Sequence, residues 1–310
     1  MRAGCSPDRS NHGENNLRLG LLGFGEAGVR FAKDLTAAGL KDIVAYSRTG
    51  AKAPLDDPLH VVAAAVGAEL VTTPRELCER SDLIIALTPG KAALAAARAV
   101  RKYLRPDHLY VDASSAAVQT MEQIAALLED RARFVDAAIM SPVPLNGIKG
   151  VIAASGAEAD VFQALMTPYG MTISVVGKKA GAASAMKLIR SVCMKGLSAV
   201  LLESLEAAQR YGVLDAVAAD IAGSFDERPF AQNMKRYVCG TAVHAERRVH
   251  EMADALALLN ALGSATRMTR ATRGKLLDVV DMGLREKFNA REPDTIAAVM
   301  EAIVAARDEH

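Results

Sequence analysis

Along the first half of the chain, short continuous apolar runs alternate with longer stretches in which apolar residues recur every three or four positions. The runs are LRLGLLG from Leu17, DIVAYS from Asp42, DLIIALT from Asp82, LYVDAS from Leu109 and RFVDAAI from Arg133. KGVIAAS from Lys149 and MTISVV from Met171 are weaker runs of the same kind. Continuous rather than alternating apolar character marks strands covered on both faces. Such strands, separated by alanine-rich helical segments, make βαβ units and a parallel sheet. After Gly177 the strands stop, and helical stretches follow at 180–211, 241–262 and 294–307 with shorter pieces between. The glycine and charges of GKKAG (177–181) punctuate the change. The pattern predicts a doubly wound, mostly parallel α/β domain over 17–178 and an all-α domain over 179–310.

One helical stretch does not fit a simple buried face. AGAASAMKLIRS (180–191) sets Lys187 and Arg190 among small and apolar residues. Helical spacing puts Ser184, Lys187, Arg190, Ser191, Met194 and Ser198 on one stripe. That stripe either faces water or lines a site.

Composition narrows the classes of partner. Lys plus Arg is 37 against 36 for Asp plus Glu in 310 residues, a balance that argues against nucleic acid or an acidic membrane surface. A small molecule or a second copy of the chain is the expected partner. Cys5, Cys78, Cys193 and Cys239 are scattered, with no CxxC pair and no histidines at metal-ligand spacing, which points to a reduced cytoplasmic protein without a metal. No apolar run approaches the roughly 18 residues of a membrane span. The first 16 residues, MRAGCSPDRSNHGENN, lack the apolar core of a signal peptide and are expected to form a disordered tail.

Gly23-Phe24-Gly25-Glu26-Ala27-Gly28 stands between the run LRLGLL and the helical EAGVRFAKDLTAAG, the strand-turn-helix context that gives GxGxxG its meaning as a dinucleotide fingerprint. The first glycine allows the tight turn, the second lets backbone approach a pyrophosphate, and the third lets helix and strand pack closely. Free N–H groups and the positive end of the helix dipole then face the phosphates. The α/β domain is thereby a Rossmann domain. Roughly 20 residues on, NAD-preferring proteins place an acid for the ribose 2′-hydroxyl. This chain has Ser47, Arg48 and Thr49 there, a cation and two hydroxyls suited to a 2′-phosphate, so NADP is expected in preference to NAD.

The order of SDLIIALTP, YVDASSAAVQ, FVDAAIMSPVPLNG and GAASAMKLIRS resembles that of the 6-phosphogluconate and 3-hydroxyisobutyrate dehydrogenase superfamily, the β-hydroxyacid dehydrogenases, over nearly all of 17–310. The resemblance implies a Rossmann domain followed by an all-α domain that opens on one long helix, and a homodimer or homotetramer held through the helical domain. It adds Thr88 and Pro89 to the cofactor contacts. It matches Asp112-Ala113-Ser114-Ser115 to the family's D-x-S-[ST], which implies a catalytic role for Ser114 and substrate contact for Ser115. The plainer account is that these serines cap the next helix. The family's G-x-G-x-x-x-K-x-x-N aligns Gly181, Ala183 and Lys187 with its two glycines and its catalytic lysine, a general acid/base for a hydroxyl or carbonyl.

Three places depart from the family. Arg190 replaces the asparagine, bringing a permanent charge that suits an anionic substrate, and Ser191 follows it in the expected pocket. Asp136-Ala137-Ala138-Ile139-Met140-Ser141-Pro142 replaces DAPVSGG; Met140 and Ser141 stay as pocket residues, while Pro142 removes an N–H donor. His244-Ala245-Glu246-Arg247-Arg248-Val249-His250-Glu251-Met252 looks like the HAxRRxxEM of a phosphogluconate-dehydrogenase-like subgroup with an uncharacterised C-terminal helical domain. There an Arg247–Glu251 surface pair competes with an arginine that reaches the cleft. The function implied is an NADP-dependent oxidoreductase acting on a small hydroxyacid-like anion, with decarboxylation after oxidation left open. An imine reductase, whose relatives commonly carry another residue at the lysine position, and a non-catalytic dinucleotide-binding module are the alternatives.

Overall fold

The computed structural model describes residues 17–50, 54 and 57–309; the expected N-terminal tail and Cys5 lie outside them. The chain forms two compact units that divide between Arg190 and Ser191.

The first unit holds the strands β1 (Arg18–Leu22), β2 (Asp42–Tyr46), β3 (Glu69–Leu70), β4 (Leu83–Ala86), β5 (Leu109–Asp112), β6 (Arg133–Ile139), β7 (Ile152–Ser155) and β8 (Ile173–Gly177). Between them run α1 (Glu26–Ala37), α2 (Pro58–Ala65), α3 (Pro74–Glu79), α4 (Ala93–Arg101), α5 (Val118–Leu128), α6 (Val143–Asn146) and α7 (Ala159–Met166). The sheet order is β3-β2-β1-β4-β5-β6-β7-β8. Along the strands successive side chains enter two separate cores: Ile43, Ala45, Leu83, Ile85, Leu109 and Val111 on one face, and Val44, Ile84, Ala86 and Tyr110 on the other. That period of two with both faces apolar is why the runs read as continuous.

All seven sequence-predicted strands are present, and two-residue β3 is too short to leave a pattern. The sheet is parallel except between β6 and β7, which pair antiparallel with Asp136 opposite Ser155. Their connection contains only the single turn of α6 and a 3₁₀ turn, not the crossover helix that a parallel return requires. β8 then pairs parallel to β7.

Helix α8 (Ala182–Tyr211) begins in the first unit and continues into the second. The second unit adds α9 (Leu214–Asp226), α10 (Phe230–Ala261), α11 (Arg267–Asp281), α12 (Leu284–Lys287) and α13 (Ile296–Asp308). Its core is small, built from Cys239, Ala242, Ala245, Val279, Leu284, Val299 and Ala302. The buried Glu203 caps α11, accepting the N–H groups of Met268 at 2.9 Å and Thr269 at 2.8 Å. Helix α10 starts at Phe230, earlier than the periodic stretch from 241, and is broken at His244, where φ is −109° and ψ is 16°.

Candidate active site

The strand order reverses between β1 and β4, and open α/β sheets bind ligands outside the strands' carboxyl ends at such a reversal. A cavity of about 710 Å³ opens there. Gly23, Phe24, Gly25, Glu26 and Ala27 line it from the turn after β1. Ser47, Arg48 and Thr49 line it from β2, and Thr88 and Pro89 from β4.

The three fingerprint glycines have three different physical reasons. Gly23 has φ +116°, and a Cβ there would lie 2.8 Å from the Leu87 carbonyl oxygen. Gly28 is buried beneath the turn, where a Cβ would come 2.4 Å from the Gly23 oxygen, so it does not line the cavity. At Gly25 a Cβ would meet nothing within 4 Å, which leaves an open cradle at the N-terminus of α1. No side chain caps that helix, and its first N–H groups are the donors an anionic pyrophosphate needs. The cradle therefore fits a dinucleotide. After β2, Ser47 Oγ accepts the Gly50 N–H at 2.9 Å and closes the turn, while its own hydroxyl hydrogen remains for a ligand. Arg48 and Thr49 are exposed beside it.

Beyond β5, the two serines separate. Ser114 is buried; its N–H donates to Asp112 Oδ1 at 3.0 Å, and its Oγ makes no well-formed hydrogen bond. Ser115 is exposed and holds φ +59°, the left-handed region that side chains other than glycine rarely enter. Neither caps α5, whose N-cap is Ala117 with no side-chain bond, so the helix-capping account does not hold. The Lys187 Nζ donates to Ser115 Oγ at 2.6 Å. The lysine thus meets Ser115, not Ser114.

Arg190, one turn further along α8, donates to the Met140 carbonyl oxygen at 3.3 Å and is held there by backbone, not by an acid. Met140 and Ser141 are half-buried at the end of β6. Ser191 follows Arg190 in α8 as the first residue of the second unit.

Sequence reasoning passed over the residues that hold this arrangement. Asp136, fully buried in β6, accepts the Ser184 hydroxyl at 2.7 Å, the Ser184 N–H at 3.0 Å and the Ser155 hydroxyl at 3.0 Å. Ser155 Oγ in turn accepts the Ala183 N–H at 2.9 Å. Asp112 is the cross-strand neighbour of Asp136. Burial pushes the Asp112 carboxyl up to about 6; the Ser114 side chain and N–H oppose the rise, and the Asp136 charge adds to it. A second unforeseen set belongs to α1. Arg30 donates to the Pro144 oxygen at 2.6 Å, and Asp34 accepts the Ile148 N–H at 3.1 Å, pinning the loop after β6. The signal was present: an acid inside an apolar strand, as in YVDAS and FVDAA, has to find donors.

In the helical unit Arg247 stands 3.6 Å from Glu251 as an exposed pair, and His244 Nε2 lies 3.4 Å from Glu292. Arg248 hydrogen-bonds Thr241. Among the described residues no His, Cys, Asp and Glu groups gather to hold a metal, and no helix is long and apolar enough to cross a membrane.

Comparison with known proteins agrees with this layout. The C-terminal part, residues 208–279, matches a domain of unknown function, DUF1932. An uncharacterized 28.5 kDa protein from Methanothermus fervidus is 28% identical over 238 residues, covering 77% of this chain and 89% of the relative. A solved conserved protein of unknown function, described as structurally similar to 3-hydroxyacid dehydrogenases, is 30% identical, with TM-score 0.59 over 85% of this chain and 98% of that one. An imine reductase variant from Myxococcus stipitatus, solved with NAD+, shares the fold at TM-score 0.73 and 20% identity, over 93% of this chain and 99% of that one. Residues 18–177 match the NAD binding domain of 6-phosphogluconate dehydrogenase, and the chain belongs to that family of dinucleotide-binding dehydrogenases and reductases.

Proposed function

We propose that the chain is an NADP-dependent oxidoreductase that interconverts a hydroxyl and a carbonyl on a small anionic, hydroxyacid-like substrate. The observation that carries this is the 2.6 Å bond from Lys187 Nζ to Ser115 Oγ at the carboxyl end of β5. The bound nicotinamide supplies the hydride acceptor or donor. The cradle at Gly23, Gly25 and the α1 N-terminus holds its pyrophosphate, with Gly28 packed beneath, and Ser47, Arg48 and Thr49 hold the 2′-phosphate.

Lys187 is the acid/base: its Nζ takes the hydroxyl proton in oxidation and returns a proton to the carbonyl oxygen in reduction. Ser115 orients that nitrogen and donates its own hydroxyl to the substrate oxygen. The Arg190 guanidinium has further N–H donors beyond the one spent on Met140, and these recognise the substrate's anionic group. Ser114, buried beneath, shapes the loop that presents Ser115. The retained lysine favours alcohol and carbonyl chemistry over reduction of a C=N bond, and the likeness to imine reductases extends to the fold alone. Scattered cysteines, free at Cys78, Cys193 and Cys239, support a reducing cytoplasmic setting.

Hydroxyacids, ketoacids and cyclic imines screened by NADPH absorbance test the proposal. Turnover is expected with a hydroxyacid or ketoacid, and Lys187→Ala should lower kcat by about 10²–10⁴-fold. Turnover that survives Lys187→Ala defeats the mechanism. NADPH binding without hydride transfer to any class favours the non-catalytic module.

A further inference from the structure

Helix α8 carries Lys187, and its phase decides where the amine points. Residues 184 and 187 share one face, so whatever fixes the Ser184 side chain also fixes the direction of Lys187. Ser184 is buried and gives both its hydroxyl and its N–H to the Asp136 carboxylate. The same carboxylate takes the Ser155 hydroxyl, and Ser155 takes the Ala183 N–H, so two strands grip the first turn of the helix. A carboxylate at a helix N-terminus also meets the positive end of the dipole. Ala183 is fully buried, packed with Ala138 of β6 and Ala153 of β7. Gly181 takes φ +94°, and a Cβ there would stand 3.0 Å from Val118 Cγ1, so the chain enters the helix tight against α5.

The other half of the Lys187–Ser115 pair is held one strand away. Asp112 sits directly across from Asp136 and accepts the Ser114 N–H, which sets the backbone that carries Ser115 into its left-handed conformation. Two neighbouring carboxylates on β5 and β6 thus hold the two sides of one contact.

We propose that Asp136, through Ser184 and Ser155, is the positioning residue of the active lysine: it sets the start and phase of α8 so that the amine meets Ser115. Asp136 touches neither substrate nor cofactor and acts only through the helix. The inference builds on Lys187 as acid/base, yet its geometry stands on the Ser115 contact alone.

The test reads the lysine itself. Full-length protein is reductively methylated with ¹³C-formaldehyde, and the Lys187 dimethylamine signal is assigned by its loss in Lys187→Arg. In the wild type it should stand apart from the exposed lysines. In Asp136→Asn, where an amide NH₂ faces donors and only one oxygen accepts, it should move to the position of the exposed lysines, while far-UV circular dichroism and NADPH binding stay unchanged. Ser184→Ala and Ser155→Ala, each removing one hydroxyl from the grip, should give smaller shifts in the same direction. If Asp136→Asn does not fold, these two decide. A Lys187 signal that keeps its wild-type position in a folded Asp136→Asn, or in both serine variants, overturns the proposal, as does a wild-type signal indistinguishable from exposed lysine. Failure of the wild type to bind NADPH or transfer hydride would instead count against the proposed function, and would leave the lysine signal to decide positioning.

Discussion

Asp112 is a buried carboxyl whose pKa is pushed up to about 6 from an ordinary value of 3.8, first by burial and then by the Asp136 charge, with Ser114 opposing. A raised carboxyl pKa means the folded chain holds the proton more tightly than the unfolded one. It contributes stability that is fully present below the unfolded value and is lost as pH rises through about 6. Asp112→Asn keeps an oxygen for the Ser114 N–H and never ionises. Its stability relative to the wild type should therefore rise by up to ~3 kcal/mol as pH increases from the unfolded to the folded value, then level off. Denaturant midpoints of both proteins across that range check this, and parallel curves would contradict it. At the same scale, Arg48→Asp removes the cation proposed to hold the 2′-phosphate and should weaken NADPH binding by about 1.5–3 kcal/mol, roughly tenfold or more, with little effect on NADH. Equal losses in fluorescence titrations with the two nucleotides would sink the 2′-phosphate assignment. Arg48 and Lys187 were nominated from the sequence because each stands at a fixed offset in a local pattern. Asp136 was not, because its three donors come from positions 155 and 184, and no short window joins them.

At the scale of elements, the strands were read correctly wherever a run was long enough to show both apolar faces. What the runs did not show was direction: β7 is antiparallel because the segment after β6 lacks a crossover helix and is tied to α1 instead. That tie depends on Gly147, which has φ +50° and whose Cβ would fall 1.8 Å from Asp34 Oδ2. Gly147→Ala should cost at least about 1–3 kcal/mol from backbone strain, more if the Asp34 to Ile148 bond is lost. Chemical denaturation measures the cost; a variant as stable as the wild type would show that the loop is not held this way. The same loop presents Met140 and Ser141. The Met140 carbonyl, which meets Arg190, stands just before this pinned loop, which proline and glycine positions alone did not specify.

For the whole molecule the least expected property is the surface of α8. A helix apolar around most of its circumference is normally buried, yet Ile189, Val192 and Leu202 are 71%, 76% and 74% exposed. The expected outcome is a homodimer that covers this helix with a second copy, as obligate interfaces do. Sedimentation equilibrium should find a dimer, and Val192→Glu with Leu202→Glu should give monomers; a wild-type monomer at micromolar concentration would refute it. By itself the sequence determined the two-part architecture, the dinucleotide turn and the identity of the acid/base candidate, because all three are written in local periodicity and fixed spacing. The tertiary structure alone decided that Lys187 meets Ser115 rather than Ser114, that Asp136 grips the helix that carries the lysine, and that Arg30 and Asp34 hold the loop after β6. Those contacts join residues 72, 48 and 114 positions apart, and only folding, in which a buried polar group is costly unless it finds a hydrogen-bond partner, brings them together.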